Sequence, residues 1–138
     1  MKKLLNTSMV YLISALIGGV FYREFTKWNG YAGKTTLGVV HTHLFVLGVF
    51  LFLIIALFCY IDKDLLQEKL FKKFFVLYNI ALPFMTCMFL VRGIVQVLNI
   101  SVSRSVNAMI SGFAGISHIL MTIALFMFFV SLKKRFAK

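Results

Sequence analysis

Residues 37–61 read LGVVHTHLFVLGVFLFLIIALFCYI, a run without a single charged side chain. Crossing a hydrocarbon core of ~30 Å takes about 20 helical residues at 1.5 Å rise each. This run is long enough, and it lacks the polar face that a soluble surface helix would keep. It sets the fold class. Three further apolar blocks, Leu4–Tyr22, Phe74–Asn99 and Met109–Leu132, are also long enough to span. The chain has 138 residues, of which 61% are hydrophobic, and little lies outside the four blocks. The composition therefore predicts an all-α integral membrane protein, a four-helix bundle with a single domain over residues 1–138. The first block is longer than a secretory signal core and has no small-x-small cleavage site after it, so it reads as a retained helix.

The formal net charge of +11 raises the question of nucleic acid. The placement of the charges answers it. Lys2, Lys3, Lys63, Lys69, Lys72, Lys73, Lys133, Lys134, Arg135 and Lys138 flank the spans on one side, against Arg23, Lys27, Lys34 and Arg104 on the other. That asymmetry predicts cytoplasmic N- and C-termini, a multi-pass protein of the bacterial cytoplasmic membrane, and basic ends that meet anionic lipid head groups. Nucleic acid is not an expected partner. Cys59 and Cys87 lie at different depths and are expected to remain unpaired thiols.

Between the spans, Phe25–Thr36 is expected to be a loop with an Asn29-Gly30 turn, and Thr35 or Thr36 to cap the second helix. Asp62–Lys73 reads as a charged connector and Ile100–Asn107 as a short polar loop. In the first helix, Ser14, Gly18 and Gly19 leave room for a neighbour to approach. Pro83 predicts a kink in the third.

The unusual residues lie inside the spans. His41, His43 and His118 are the only histidines, and an imidazole in hydrocarbon needs a partner. With alternating helix directions, all three fall in the outer half of the bilayer with Arg92, Gln96 and Asn99. Helical spacing lines up Gly38, His41, Phe45 and Gly48 on the second helix. The same spacing lines up Ser111, Gly115, His118 and Thr122 on the fourth, and Met85, Met88, Arg92, Gln96 and Asn99 on the third. Gly38 and Gly115 each stand one turn before a histidine, opening space for a flat macrocycle or a close helix. His43 points about 200° away from His41.

Haem b is the cofactor this pattern suits best. His41 and His118 would be the axial iron ligands, with His43 as reserve, Arg92 paired to a propionate, and Gly38, Gly115 and Gln96 around the site. Such a protein would transfer electrons, or sense or handle haem. The alternative is a non-enzymatic membrane subunit or small transporter whose His/Arg cluster is structural or binds copper, with Met85, Met88 and Met121 as soft ligands. No complete catalytic constellation is present, so an enzyme is not indicated beyond redox chemistry. A quinone or other redox partner and a homo-oligomer stay open.

Two resemblances bear on this. Phe21-Tyr22-Arg23-Glu24-Phe25, Val40-His41-Thr42-His43-Leu44 and Ser111-Gly112-Phe113-Ala114-Gly115-Ile116-Ser117-His118 resemble a family of small four-helix bacterial membrane proteins, domain of unknown function family 2871, over essentially the whole chain. That resemblance implies the fold and no activity. Locally, Val40-His41-Thr42-His43-Leu44-Phe45-Val46 resembles the Leu-His-Thr-Asn segment of nitric oxide reductases and cbb3-type haem–copper oxidases. There the histidine ligates low-spin haem b, which implies that role for His41. His43 replaces the asparagine and inherits none. Those enzymes have twelve helices and a histidine trio for a second metal, both missing here, so reduction of oxygen or nitric oxide is not implied. His118 as second ligand follows from topology alone.

Overall fold

The computed structural model describes residues 1–137. Four helices follow one another: α1 (Lys2–Trp28), α2 (Leu37–Ile61), α3 (Lys69–Val97) and α4 (Arg104–Phe136). All four are long and apolar enough to cross a membrane. The predicted bounds of α2 match the structure. The helices α1 and α4 run past their apolar blocks at both ends and α3 at its start, ending at Val97 rather than Asn99, because hydropathy marks the hydrocarbon, whereas the helix is set by backbone bonding and propensity.

In α1 the extension is Arg23–Trp28, rich in good helix formers. Phe21 and Phe25 stack one turn apart, and the Thr26 hydroxyl donates back to the Tyr22 carbonyl. Gly30, at φ 58°, then turns the chain at the expected Asn29-Gly30 position. The expected charged connector is shorter than predicted, because Lys63–Gln67 form a 3₁₀ turn and α3 starts at Lys69. Ser103 accepts the Val106 N–H and starts α4 at Arg104, inside the expected polar loop. Asn99, at φ 49°, ends the α3 segment in the left-handed region that asparagine tolerates. The α3 helix continues through Pro83.

Consecutive helices pack side by side: α1 on α2, α2 on α3, and α3 along α4. The α1–α2 contact uses the small residues the sequence points to. A Cβ on Gly18 would meet Val40 at 3.3 Å, and one on Gly19 would meet His41 at 3.7 Å. The core lies where Ala15, Phe52, Tyr78, Ala81, Ala124 and Phe128 converge. At the end carrying both termini, Arg135 grips Asp62 through two bonds of 2.6 and 2.8 Å, tying α4 to the end of α2. This guanidinium hydrogen bond holds the Asp62 carboxyl below its ordinary range.

Two features fix how α2 sits. Its first turn is pinned to α3. The Thr36 hydroxyl donates to the Phe89 carbonyl at 2.8 Å, the Thr36 N–H reaches Gln96 Oε1 at 2.9 Å, and the Thr35 hydroxyl donates to the Gly93 carbonyl. Thr35 also accepts the Leu37 N–H, the expected capping role. Leu37 lies so close to α3 that a Cβ on Gly93 would come within 2.7 Å of its backbone nitrogen. Further along, Leu44–Phe50 are π-helical, so the local bonding pattern widens and carbonyls need outside donors. The Tyr78 hydroxyl supplies one to Leu47 at 2.8 Å and the Ser8 hydroxyl another to Val49 at 3.2 Å. Gly48, mid-segment, leaves room for Tyr11, whose Cβ would otherwise stand 2.6 Å from an added methyl.

The pin predicts a contrast between two glycines. Gly93→Ala should destabilise the protein by roughly 1–3 kcal/mol, because the methyl meets backbone rather than a flexible side-chain tip. Gly112→Ala, where an added Cβ meets nothing within 4 Å, should be neutral or slightly stabilising. Thermal unfolding in detergent, followed by circular dichroism, compares them.

Candidate functional site

The sequence-predicted residues divide between the two sides of α2. His41 faces α1: Gly19 lies against its ring, and the ring runs nearly parallel to that of Tyr22, with centroids 6.4 Å apart. Its Nδ1 is buried and has no hydrogen-bond partner. Gly38 belongs to the same contact, since a Cβ there would meet the Tyr22 ring at 3.3 Å. The space that Gly38 opens is filled by a tyrosine from α1.

His43 faces the other way. Its ring meets Phe89 of α3 edge-on, with centroids 4.8 Å apart. His118 of α4 meets the same phenyl at 5.7 Å. Two imidazoles from different helices thus stand level with one another against one aromatic ring. His41 is not part of this group.

Both rings are held in the same way. His43 Nδ1 lies 2.7 Å from the Val39 carbonyl, and His118 Nδ1 lies 2.8 Å from the Ala114 carbonyl, each one turn back along its own helix. A carbonyl only accepts, so each Nδ1 carries the proton. In the neutral ring the lone pair is then on Nε2, directed away from the parent helix. This is the orientation in which a backbone carbonyl presets an imidazole for metal ligation.

The surroundings on α4 are open. Ser111, Gly115, His118 and Thr122 are all exposed along one stripe, and a Cβ on Gly115 would meet nothing within 4 Å. Arg92 caps this stripe from α3, with Nη1 on Asn107 Oδ1 at 2.7 Å and Nη2 on Ser111 Oγ at 2.6 Å. Two of its five donors are used, so it keeps capacity for an anion. Ser111 and His118 are two turns apart, about 10 Å along the helix. Gln96 is committed to the α2 pin.

Among the described residues, no three His, Cys, Asp or Glu side chains are placed to hold a metal ion together. Met85 and Met121 are buried in the core, and Cys59 and Cys87 are free thiols. A second polar group lies elsewhere and was not anticipated. The Tyr11 hydroxyl donates to Asn79 Oδ1 at 2.9 Å, and Asn79 Nδ2 donates to the Phe75 carbonyl at 2.7 Å. The one available signal was an asparagine four residues before Pro83, inside an apolar block.

A bundle of four helices long and apolar enough to cross a membrane, in which histidines of two helices meet one phenyl ring, is therefore the class defined by this fold and site. A family model described as protein of unknown function (DUF2871) matches residues 1–135, and the chain belongs to that family. No curated protein and no solved structure matches it.

The Arg92 contacts predict a measurable tie between α3 and α4. Arg92→Leu should cost roughly 1 kcal/mol, the scale of interhelical hydrogen bonds in membranes. Asn107→Ala should add little once Arg92 is gone. A double-mutant cycle on unfolding free energies checks this coupling.

Proposed function

We propose that this protein binds haem b between α2 and α4, where His43 and His118 would hold the iron, and that it transfers electrons or senses or handles haem. One observation carries the reading: two histidines from different helices flank the same Phe89 ring, and each has its Nδ1 on a backbone carbonyl and its Nε2 free. The fit to a porphyrin rests on three features of the chain and on one movement, that of Phe89. Both donors are imidazoles, which suit haem iron. Gly115 leaves the α4 surface flat next to His118. Phe89 must rotate from between the imidazoles to become an apolar wall, which its unbranched Cβ permits. Arg92 stands about two turns from His118 with donors to spare, a reach that suits a propionate.

When bound, haem supplies a reversible one-electron couple at iron. The chain would hold the imidazoles in one tautomer, keep water from the buried face and neutralise the carboxylate edge with Arg92. The placement of His43, rather than His41, against Phe89 favours the residue that the oxidase-like motif leaves without a role. In this reading His41 belongs to the α1–α2 contact. The basic ends would face the cytoplasm and the site the outer half of the cell membrane, in keeping with the positive-inside charge pattern.

A second reading has one observation in its favour. The exposed α4 stripe of Ser111, Gly115, His118 and Thr122 would be costly against lipid and could be covered by another copy of the chain.

Absorption spectra of the purified protein, oxidised and dithionite-reduced, separate these readings. The haem reading predicts a Soret band, which His43→Ala and His118→Ala each shift or abolish. Absence of a Soret band after expression with ample haem would refute it and leave the stripe as an interface between copies.

A further inference from the structure

Between α1 and α3, which stand apart, runs a groove of about 980 Å³, floored by Val40 and Leu44 of α2. Its two ends differ in chemistry. Lys2, Lys3, Asn6 and Thr7 stand at one end, whereas Phe21, Leu90 and Ile94 line the other. We infer that this groove is the seat of one anionic phospholipid, with its phosphate at Lys2 and Lys3, an ester carbonyl at Asn79 and an acyl chain along α1 and α3.

Three observations converge on that occupant. The first is charge. Lys3 is held at the groove mouth with Nζ 4.4 Å from the centre of the Phe75 ring. Among the described residues, neither Lys2 nor Lys3 forms an ion pair, so the mouth carries two cations without a counter-charge. The second is the polar group inside the groove. Asn79 spends one amide N–H on the Phe75 carbonyl and its oxygen on Tyr11, which leaves its second N–H without a partner among the hydrogen bonds. In hydrocarbon a spare donor is costly, and a lipid ester carbonyl is an acceptor that the bilayer supplies. Asn79 lies one turn, about 6 Å, beyond Phe75, which marks the level of Lys3. Phosphate and ester groups of one lipid are separated on that scale.

The third observation is length. From Asn79 to Ile94 the groove wall continues for about 22 Å at 1.5 Å per residue. That exceeds half of a ~30 Å hydrocarbon core, so an extended acyl chain can lie along it. Ordinary lipid packed around a helix bundle would be bound without regard to head group. The lysine mouth makes this groove selective for an anionic head group, while the Asn79 donor sets how deep the lipid sits.

The experiment is native mass spectrometry of the full chain released from nanodiscs containing equal phosphatidylglycerol and phosphatidylcholine. The expected result is one retained phosphatidylglycerol per chain in clear excess over phosphatidylcholine. Lys2→Gln with Lys3→Gln, at an exposed helix end where folding is not at risk, should lower phosphatidylglycerol retention by roughly 30-fold, taking about 1 kcal/mol per lysine near the surface. Ser14→Trp, which fills the groove between its two ends, should remove the retained lipid with the circular dichroism spectrum unchanged. Equal retention of both lipids, retention of none, or undiminished phosphatidylglycerol in the double lysine variant would each overturn the proposal. If Ser14→Trp does not fold, the lysine variant alone decides. The outcome is independent of haem, since none of His43, Phe89 and His118 lines the groove.

Discussion

The seating of the first turn of α2 on the α3 backbone governs the rest of this structure. Thr35, Thr36 and Gln96 lock the two helices together, and Gly93 lets Leu37 lie against the α3 main chain. In hydrocarbon such bonds have no water to exchange with, so a polar contact once formed fixes both height and rotation. With α2 held there, His43 must face Phe89 and His41 must face α1. The two histidines are close in sequence, but they end up on different sides of the protein.

The π-helical segment that follows is a second consequence of the same rule. Widening the helix at Leu44–Phe50 frees carbonyls that the bilayer cannot satisfy, and Tyr78 and Ser8 satisfy them from α3 and α1. The hydroxyls that stabilise the π segment also clamp α2 between its neighbours. Gly48 and Tyr11 complete this clamp, and Tyr11 carries the contact on to Asn79. Positions that look in isolation like packing residues are parts of one chain of backbone satisfaction.

The architecture was legible in the sequence, and the neighbours of the candidate residues only in part. The spans follow from hydropathy, and α2 was legible to its ends because its apolar run stops where its helix does. The helical reach of Arg23–Trp28 and Lys69–Lys73 was not legible, since charged residues that favour helix carry no hydrophobic signal. His118 and Gly115 share a face of α4, where periodicity aligned them, and Arg92 reaches that face from α3 through Ser111. The choice between His41 and His43 was beyond periodicity. A stripe tells which residues share a face, not which neighbour that face meets. Gly38 illustrates the same limit: it does open space beside an imidazole, and Tyr22 fills it. The Tyr11–Asn79 pair spans two helices and has no local pattern to betray it.

The central claim is that His43 and His118, rather than His41, form the ligand pair. Electron paramagnetic resonance of the purified ferric protein tests it most directly when wild type, His41→Ala and His43→Ala are compared. The account predicts a low-spin bis-imidazole signal in wild type that persists in His41→Ala and is lost in His43→Ala. Loss of the low-spin signal in His41→Ala with its retention in His43→Ala would contradict it.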